Sequence, residues 1–291
     1  MNSFMSWVGG KKALRDEIVR RFPLIYEDYI EVFGGAAWTL FHKPPGNDFE
    51  VYNDFNGLLV NLFRTVREDP EGLKKHLKYV LNSREEFEYA RDSLKRGVPA
   101  TSVQKAAWFY TTIRLSYGSA LTSYGARSHD LEGDFPLIEQ ASRRLSKVVI
   151  EHQSFEQLIP HFDSPAAFFY LDPPYHTTEG YYKNIGADGF TERSHILLRD
   201  ILVNIEGKFL LSYNDDVFVR ELYDRPGIYI EPITRLNNIR QRYEANCQFS
   251  ELLISNYDTT ERGEYLKRLE RESRQLTLFD ETNNNEEESI L

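Results

Sequence analysis

Ala166-Ala167-Phe168-Phe169-Tyr170-Leu171-Asp172-Pro173-Pro174-Tyr175 sets an unbroken apolar run directly before an acid, two prolines and a tyrosine. The apolar run reads as a strand buried on both faces, as in a parallel sheet. Proline fixes φ and donates no backbone hydrogen bond, and the residue before it is held extended. The strand must therefore stop at Asp172, with its carboxylate and the next carbonyl held out at the sheet edge beside an aromatic ring. In open α/β sheets, ligands bind at the carboxyl ends of strands. Two acceptors next to a stacking ring suit a planar substrate that carries an amino group, such as a nucleobase.

Outward from this point, further short runs read as strands: 29–33, 49–53, 148–152, 209–213, 228–233 and 251–256. Helical patterns lie between them at 12–21, 36–42, 58–67 and 194–205. Strands alternating with helices predict a mainly parallel α/β sheet of about seven strands covered on both faces. The alternation breaks over 69–147. Helical patterns at 71–81, 84–96 and 103–114 are followed there by a tyrosine- and serine-rich segment, 115–127. We read 69–147 as an inserted helical subdomain, with 1–68 and 148–257 forming the sheet-bearing domain. A long helical crossover is the alternative. From Asp258 the chain turns polar and ends in an acidic tail, 258–291, expected to be flexible.

Composition narrows the classes. The chain has 291 residues, 41% of them hydrophobic, which is enough for a large core. A single cysteine, Cys247, excludes a disulfide framework and a cysteine-based zinc site, and a cytoplasmic setting is expected. No apolar run is long enough to span a bilayer, and the start lacks the pattern of a secretory leader. A net charge of −10 argues against nucleic acid when taken alone. Its distribution softens that reading. Residues 71–150 carry 13 Lys+Arg against 9 Asp+Glu, whereas 258–291 carry 5 against 10.

Other residues suit the same chemistry. Glu31-Val32-Phe33-Gly34-Gly35-Ala36-Ala37 follows the first strand and opens a helix. Glycines there let a ligand approach the backbone, and the same turn is also common as plain structure. Asp54 ends the second strand, where an acid bonds ribose hydroxyls in this fold class or simply caps a helix. Two acceptors at Asp172 and Pro173 would take both N–H bonds of an adenine amine and localise its lone pair. Tyr175 would stack on the base, which must leave a duplex to reach it.

Together these motifs resemble the Dam-type (D12 class) adenine-specific DNA methyltransferases over most of residues 1–257. The resemblance implies a Rossmann-like methyltransferase sheet, S-adenosylmethionine as cofactor and double-stranded DNA as substrate. It casts Asp172, Pro173 and Tyr175 as catalytic. It casts Trp7, Lys11, Phe33, Gly35, Asp54, Ser154, Phe155 and Asp172 as cofactor-binding. Target recognition would fall in the insert, with Arg114, Tyr117, Tyr124 and Arg127 as DNA-binding residues. Val32 stands where the family usually has proline, and Ala37 where it often has glycine. In the tail, Gln275-Leu276-Thr277-Leu278-Phe279 resembles the peptide by which bacterial replication proteins dock on the sliding clamp, with Gln275, Leu276, Leu278 and Phe279 as contacts. Packing of the tail on the domain is the alternative. Two other functions share the motifs: methylation of RNA adenine or protein glutamine, and a non-catalytic DNA-binding factor retaining the fold.

Overall fold

The computed structural model describes residues 1–119, 121–126, 129–176, 189–236, 248–268 and 271. Its strands are β1 (Asp28–Glu31), β2 (Phe49–Asn53), β3 (Val149–Glu151), β4 (Ala167–Leu171), β5 (Lys208–Asn214), β6 (Tyr229–Leu236) and β7 (Gln248–Ser255). They form one seven-stranded sheet in the order β3-β2-β1-β4-β5-β7-β6. Pairings from β3 to β5 are parallel, and β7 runs antiparallel between β5 and β6. The order reverses between β1 and β4, so their carboxyl ends diverge there and open a crevice. Glu31 ends β1, and Asp172 directly follows β4.

Helices cover both faces. α1 (Arg15–Arg20), α2 (Trp38–His42) and α3 (Gly57–Glu68) follow the N-terminal segment, β1 and β2. After α3 come α4 (Pro70–Leu77), α5 (Arg84–Lys95), α6 (Ser102–Leu115) and α7 (Phe135–Leu145). α8 (Phe155–Phe162), α9 (Glu192–Leu202) and α10 (Val217–Tyr223) follow, and residues 260–268 at the start of the tail are also helical. Local chemistry marks several starts. Asn56, Asp69, Ser83 and Thr101 each accept a backbone N–H in the first turn of the helix they cap.

The two faces of the sheet carry separate cores. On one, Ile30, Phe169, Leu171 and Leu211 pack against α8, α9 and α10. On the other, Phe4, Phe41, Phe63 and Tyr110 pack together, and Leu73, Leu77, Ile138 and Leu145 belong to the same cluster. Helices α4, α6 and α7 thus bury their apolar stripes on the same core as α2 and α3. Among the described residues, no helix is long and apolar enough to cross a membrane.

Candidate active site

A cavity of about 440 Å³ opens where β1 and β4 diverge. Its floor is the β1–α2 turn. Gly34 N–H donates to the Asn53 carbonyl at 2.8 Å, and Ala37 N–H to the Gly34 carbonyl at 2.7 Å. A Cβ on Gly34 would fall 2.2 Å from the Tyr52 ring. Gly35 has φ +49°, and a Cβ there would meet the Trp7 indole at 3.1 Å. Ala37 also lies in the left-handed region, at φ 52° and ψ 39°. Val32 N–H donates to the Tyr170 carbonyl at 3.0 Å, a bond that a proline at this position could not make.

Asp54 stands at the end of β2 and braces this turn. Its Oδ2 accepts from Gly35 N–H at 2.9 Å and its Oδ1 from Asn56 N–H at 2.8 Å. Burial pushes its pKa above the ordinary carboxylate value, and the two backbone donors pull it back. Each oxygen keeps a lone pair for a ligand hydroxyl. Ser154 precedes α8 and also lines the cavity. Phe33, Phe155 and Phe190 form an aromatic side, with ring centroids 5.7–5.9 Å apart.

At the other end sits Asp172, with its side chain 18% exposed. Lys11 Nζ lies 2.6 Å from Asp172 Oδ1 and donates to Tyr175 Oη at 2.6 Å. Tyr175 Oη in turn donates to Glu251 Oε2 at 3.2 Å. Ser212 Oγ donates to Asp172 Oδ1 at 3.4 Å, so both donors reach the same oxygen. Burial raises the Asp172 pKa, Lys11 lowers it, and the Glu251 charge raises it again. Pro174 and Asp172 line the cavity, while Pro173 is buried behind them.

The structure therefore brings Trp7, Lys11, Phe33, Gly35, Asp54, Ser154, Phe155 and Asp172 to the wall of one cavity. Tyr175 does not line the cavity itself; it joins through Lys11, whose Nζ donates to its Oη and lies 4.7 Å from its ring centroid. Glu31, Trp38 and Phe190 are among the cavity residues that carried no role in the sequence reading. Glu31 ends β1 just as Asp54 follows β2, and that shared position was a usable signal. It accepts from Tyr29 Oη and Leu40 N–H, and burial pushes its pKa up to about 8. Trp38 and Phe190 gave no local signal.

Arg114, Tyr117 and Tyr124, expected to contact DNA, do not line this cavity. Ser116 and Tyr124 pair as an isolated antiparallel bridge, and Tyr117 at its start is 60% exposed. Tyr124 Oη donates to Asn82 Oδ1, and the Arg84 guanidinium lies 5.4 Å from its ring. Arg114 is engaged internally, with Nη2 and Nε donating to Asp134 at 2.7 and 2.8 Å. Leu121, in the bridged loop at φ 62°, reaches the cavity wall. Arg127 lies outside the described residues, as do Gln275, Leu276, Leu278 and Phe279.

A mainly parallel seven-stranded sheet with one reversed strand, and a glycine-floored cavity at its switch point, define a Rossmann-like methyltransferase. The family model of the D12 class N6 adenine-specific DNA methyltransferases matches residues 7–245, and the chain belongs to that family of enzymes. It is 26% identical to the Lactococcus lactis subsp. cremoris type II methyltransferase M1.LlaDCHI, over 88% of this chain and 96% of the relative. Identity to type II methyltransferase M.CviBI of Paramecium bursaria Chlorella virus NC1A is also 26%, over 77% and 87%. A Haemophilus influenzae DNA adenine methylase is 23% identical over 86% of this chain and 92% of its own.

Proposed function

We propose that this protein moves a methyl group from S-adenosylmethionine to the exocyclic N6 amine of an adenine rotated out of double-stranded DNA. One observation carries the reading: a single cavity joins a hydroxyl-accepting acid, Asp54, to an amine-accepting acid, Asp172, across a glycine floor. The residues present fit such a donor. The floor packs this tightly against Tyr52 and Trp7 because Gly34 and Gly35 lack side chains, and Asp54 keeps acceptor capacity for ribose. Trp7, Phe33, Gly35, Asp54, Ser154 and Phe155 would hold it.

When bound, the donor supplies a methyl carbon on a positively charged sulfur, an electrophile that an amine displaces in one step. The chain's own task is to make the amine nucleophilic. Asp172 and the Pro173 carbonyl accept its two N–H bonds, direct its lone pair and compensate its growing positive charge. The surplus proton leaves to solvent. Lys11 favours the ionised form of Asp172 against the burial that raises its pKa, because an opposite charge at 2.6 Å stabilises the carboxylate. Target recognition is assigned to 69–147, where Leu121 reaches the cavity wall. The clamp-docking role of the tail rests on its sequence alone.

Asp172→Ala is expected to lower turnover by about 1000-fold or more while donor binding largely persists. Methyl transfer from labelled donor to duplex DNA, RNA and a glutamine peptide measures it, beside calorimetric donor titration. Undiminished turnover by the variant, or transfer to RNA or peptide alone, would overturn the assignment.

A further inference from the structure

We propose that Glu251 is a positioning residue that takes over Lys11 when Asp172 turns to the target amine. The inference rests on the reading that Asp172 accepts that amine. Its starting point is a conflict over one carboxylate: Lys11 Nζ lies 2.6 Å from Asp172 Oδ1, so an amine that binds either oxygen competes with the ammonium for the same charge. Lys11 is 4% exposed, so water cannot replace the lost partner. A buried ammonium whose carboxylate is drawn towards another donor is left with only neutral acceptors, the Gly9 carbonyl and Tyr175 Oη, which do not balance its charge.

Glu251 removes the conflict. It lies on β7, opposite Asn214 of β5, and is 1% exposed. Its Oε2 is 3.9 Å from Lys11 Nζ, an ion-pair distance but too long for a hydrogen bond. A shift of about 1 Å would close that gap to a hydrogen bond. Tyr175 already bridges the two, accepting from Lys11 and donating to Glu251 Oε2. The lysine therefore has a second acid and a tethered path to it. Two acids and one lysine form a three-point site in which the cation stays paired whether or not Asp172 is occupied by substrate. Glu251 never touches the base in this scheme. It acts through Lys11 and Tyr175, on a strand held on both sides by β5 and β6.

The test compares the full-length protein with Glu251→Gln and Glu251→Asp on a duplex carrying its own target, mapped beforehand by sequencing modified bases in an expressing host. Glu251→Gln is expected to lower the single-turnover methylation rate by about 100-fold. The Kd for S-adenosylmethionine, titrated without DNA, and the KM for DNA should each stay within about threefold of wild type. Glu251→Asp, which keeps the charge, should recover most of the rate. A wild-type rate in Glu251→Gln overturns the proposal. So does a parallel loss of rate, donor binding and melting temperature that Glu251→Asp does not relieve, or failure of both variants to fold, because either assigns Glu251 to packing alone. Asp172→Ala is run alongside. If it stays active, the underlying reading fails; if it is inactive while Glu251→Gln is normal, only this inference fails.

Discussion

Ala37 carries a side chain in a backbone conformation that favours glycine. Its φ of 52° costs an L-residue roughly 1–2 kcal/mol, and the residue is fully buried beneath the cavity floor. Ala37→Gly removes that strain but adds freedom to the unfolded chain, so stability should be unchanged or rise by up to about 1 kcal/mol. Ala37→Val, which branches the crowded carbon, should cost more than about 2 kcal/mol. Urea unfolding of the two variants measures both; a destabilised Ala37→Gly would contradict the strain. Glu31 is the other residue held at a cost. Its pKa rises from 4.5 to about 8 in the fold, so between those values the folded state binds the extra proton. Stability from this group is full below about pH 4.5 and is lost as pH rises through about 8. Glu31→Gln keeps an acceptor for Tyr29 and Leu40 and abolishes that loss. Relative to wild type, the variant should gain a few kcal/mol, to order of magnitude, between pH 5 and pH 9. Melting curves at both values, with no change in the difference, would refute this.

At the level of elements, the segment joining α6 to α7 shows how the chain supports a loop without regular pairing. Arg114 in the last turn of α6 grips Asp134, just before α7, and His129 Nε2 meets the same carboxylate at 2.9 Å. The bridged loop between them is thus tied at its base by a bidentate pair. Arg114→Ala should destabilise the protein by about 3 kcal/mol, because it leaves the buried Asp134 charge without its main partner. Asp134→Asn should cost a similar amount, and the double variant less than the sum. Denaturant unfolding of the three variants decides it. A variant that loses DNA affinity at unchanged stability would place Arg114 on DNA instead. All seven strands were legible in the sequence, because buried parallel strands are short apolar runs between turn residues. Three helices were not. α7 carries Pro136 in its first turn, where proline is tolerated although it reads as a breaker. α8 contains Pro160, and the seven-residue α10 is as apolar as a strand. The reversed direction of β7 was also hidden, since its partners lie far away in sequence. The same division holds at the site. Asp54 and Asp172 follow strands and could be read locally; Glu251 faces Lys11 and Tyr175 only once β7 has paired with β5.

For the whole molecule, the question is whether the sheet and the inserted helices unfold as one body. One face of the sheet shares its core with the insert. Phe63 of α3 stacks on Tyr52 of β2 at 4.0 Å and meets Phe4 at 5.2 Å, and Tyr110 of α6 donates through its hydroxyl to the Phe4 carbonyl. Trp7 at the cavity wall lies 5.9 Å from Phe109 of α6. These groups belong to one buried apolar cluster, so opening the insert would expose the apolar face that α3 and the sheet also use. Such coupling makes unfolding cooperative, because neither part keeps its buried surface alone. The tryptophans suit the test: Trp7 and Trp38 report on the cavity, and Trp108 reports on α6. Urea transitions followed by fluorescence in Trp108→Phe, and in a Trp7→Phe/Trp38→Phe pair, should share one midpoint with far-ultraviolet circular dichroism of each variant. Separated midpoints within one variant would show that 69–147 melts independently. Leu121 would then owe its place on the cavity wall to contacts weaker than this shared core.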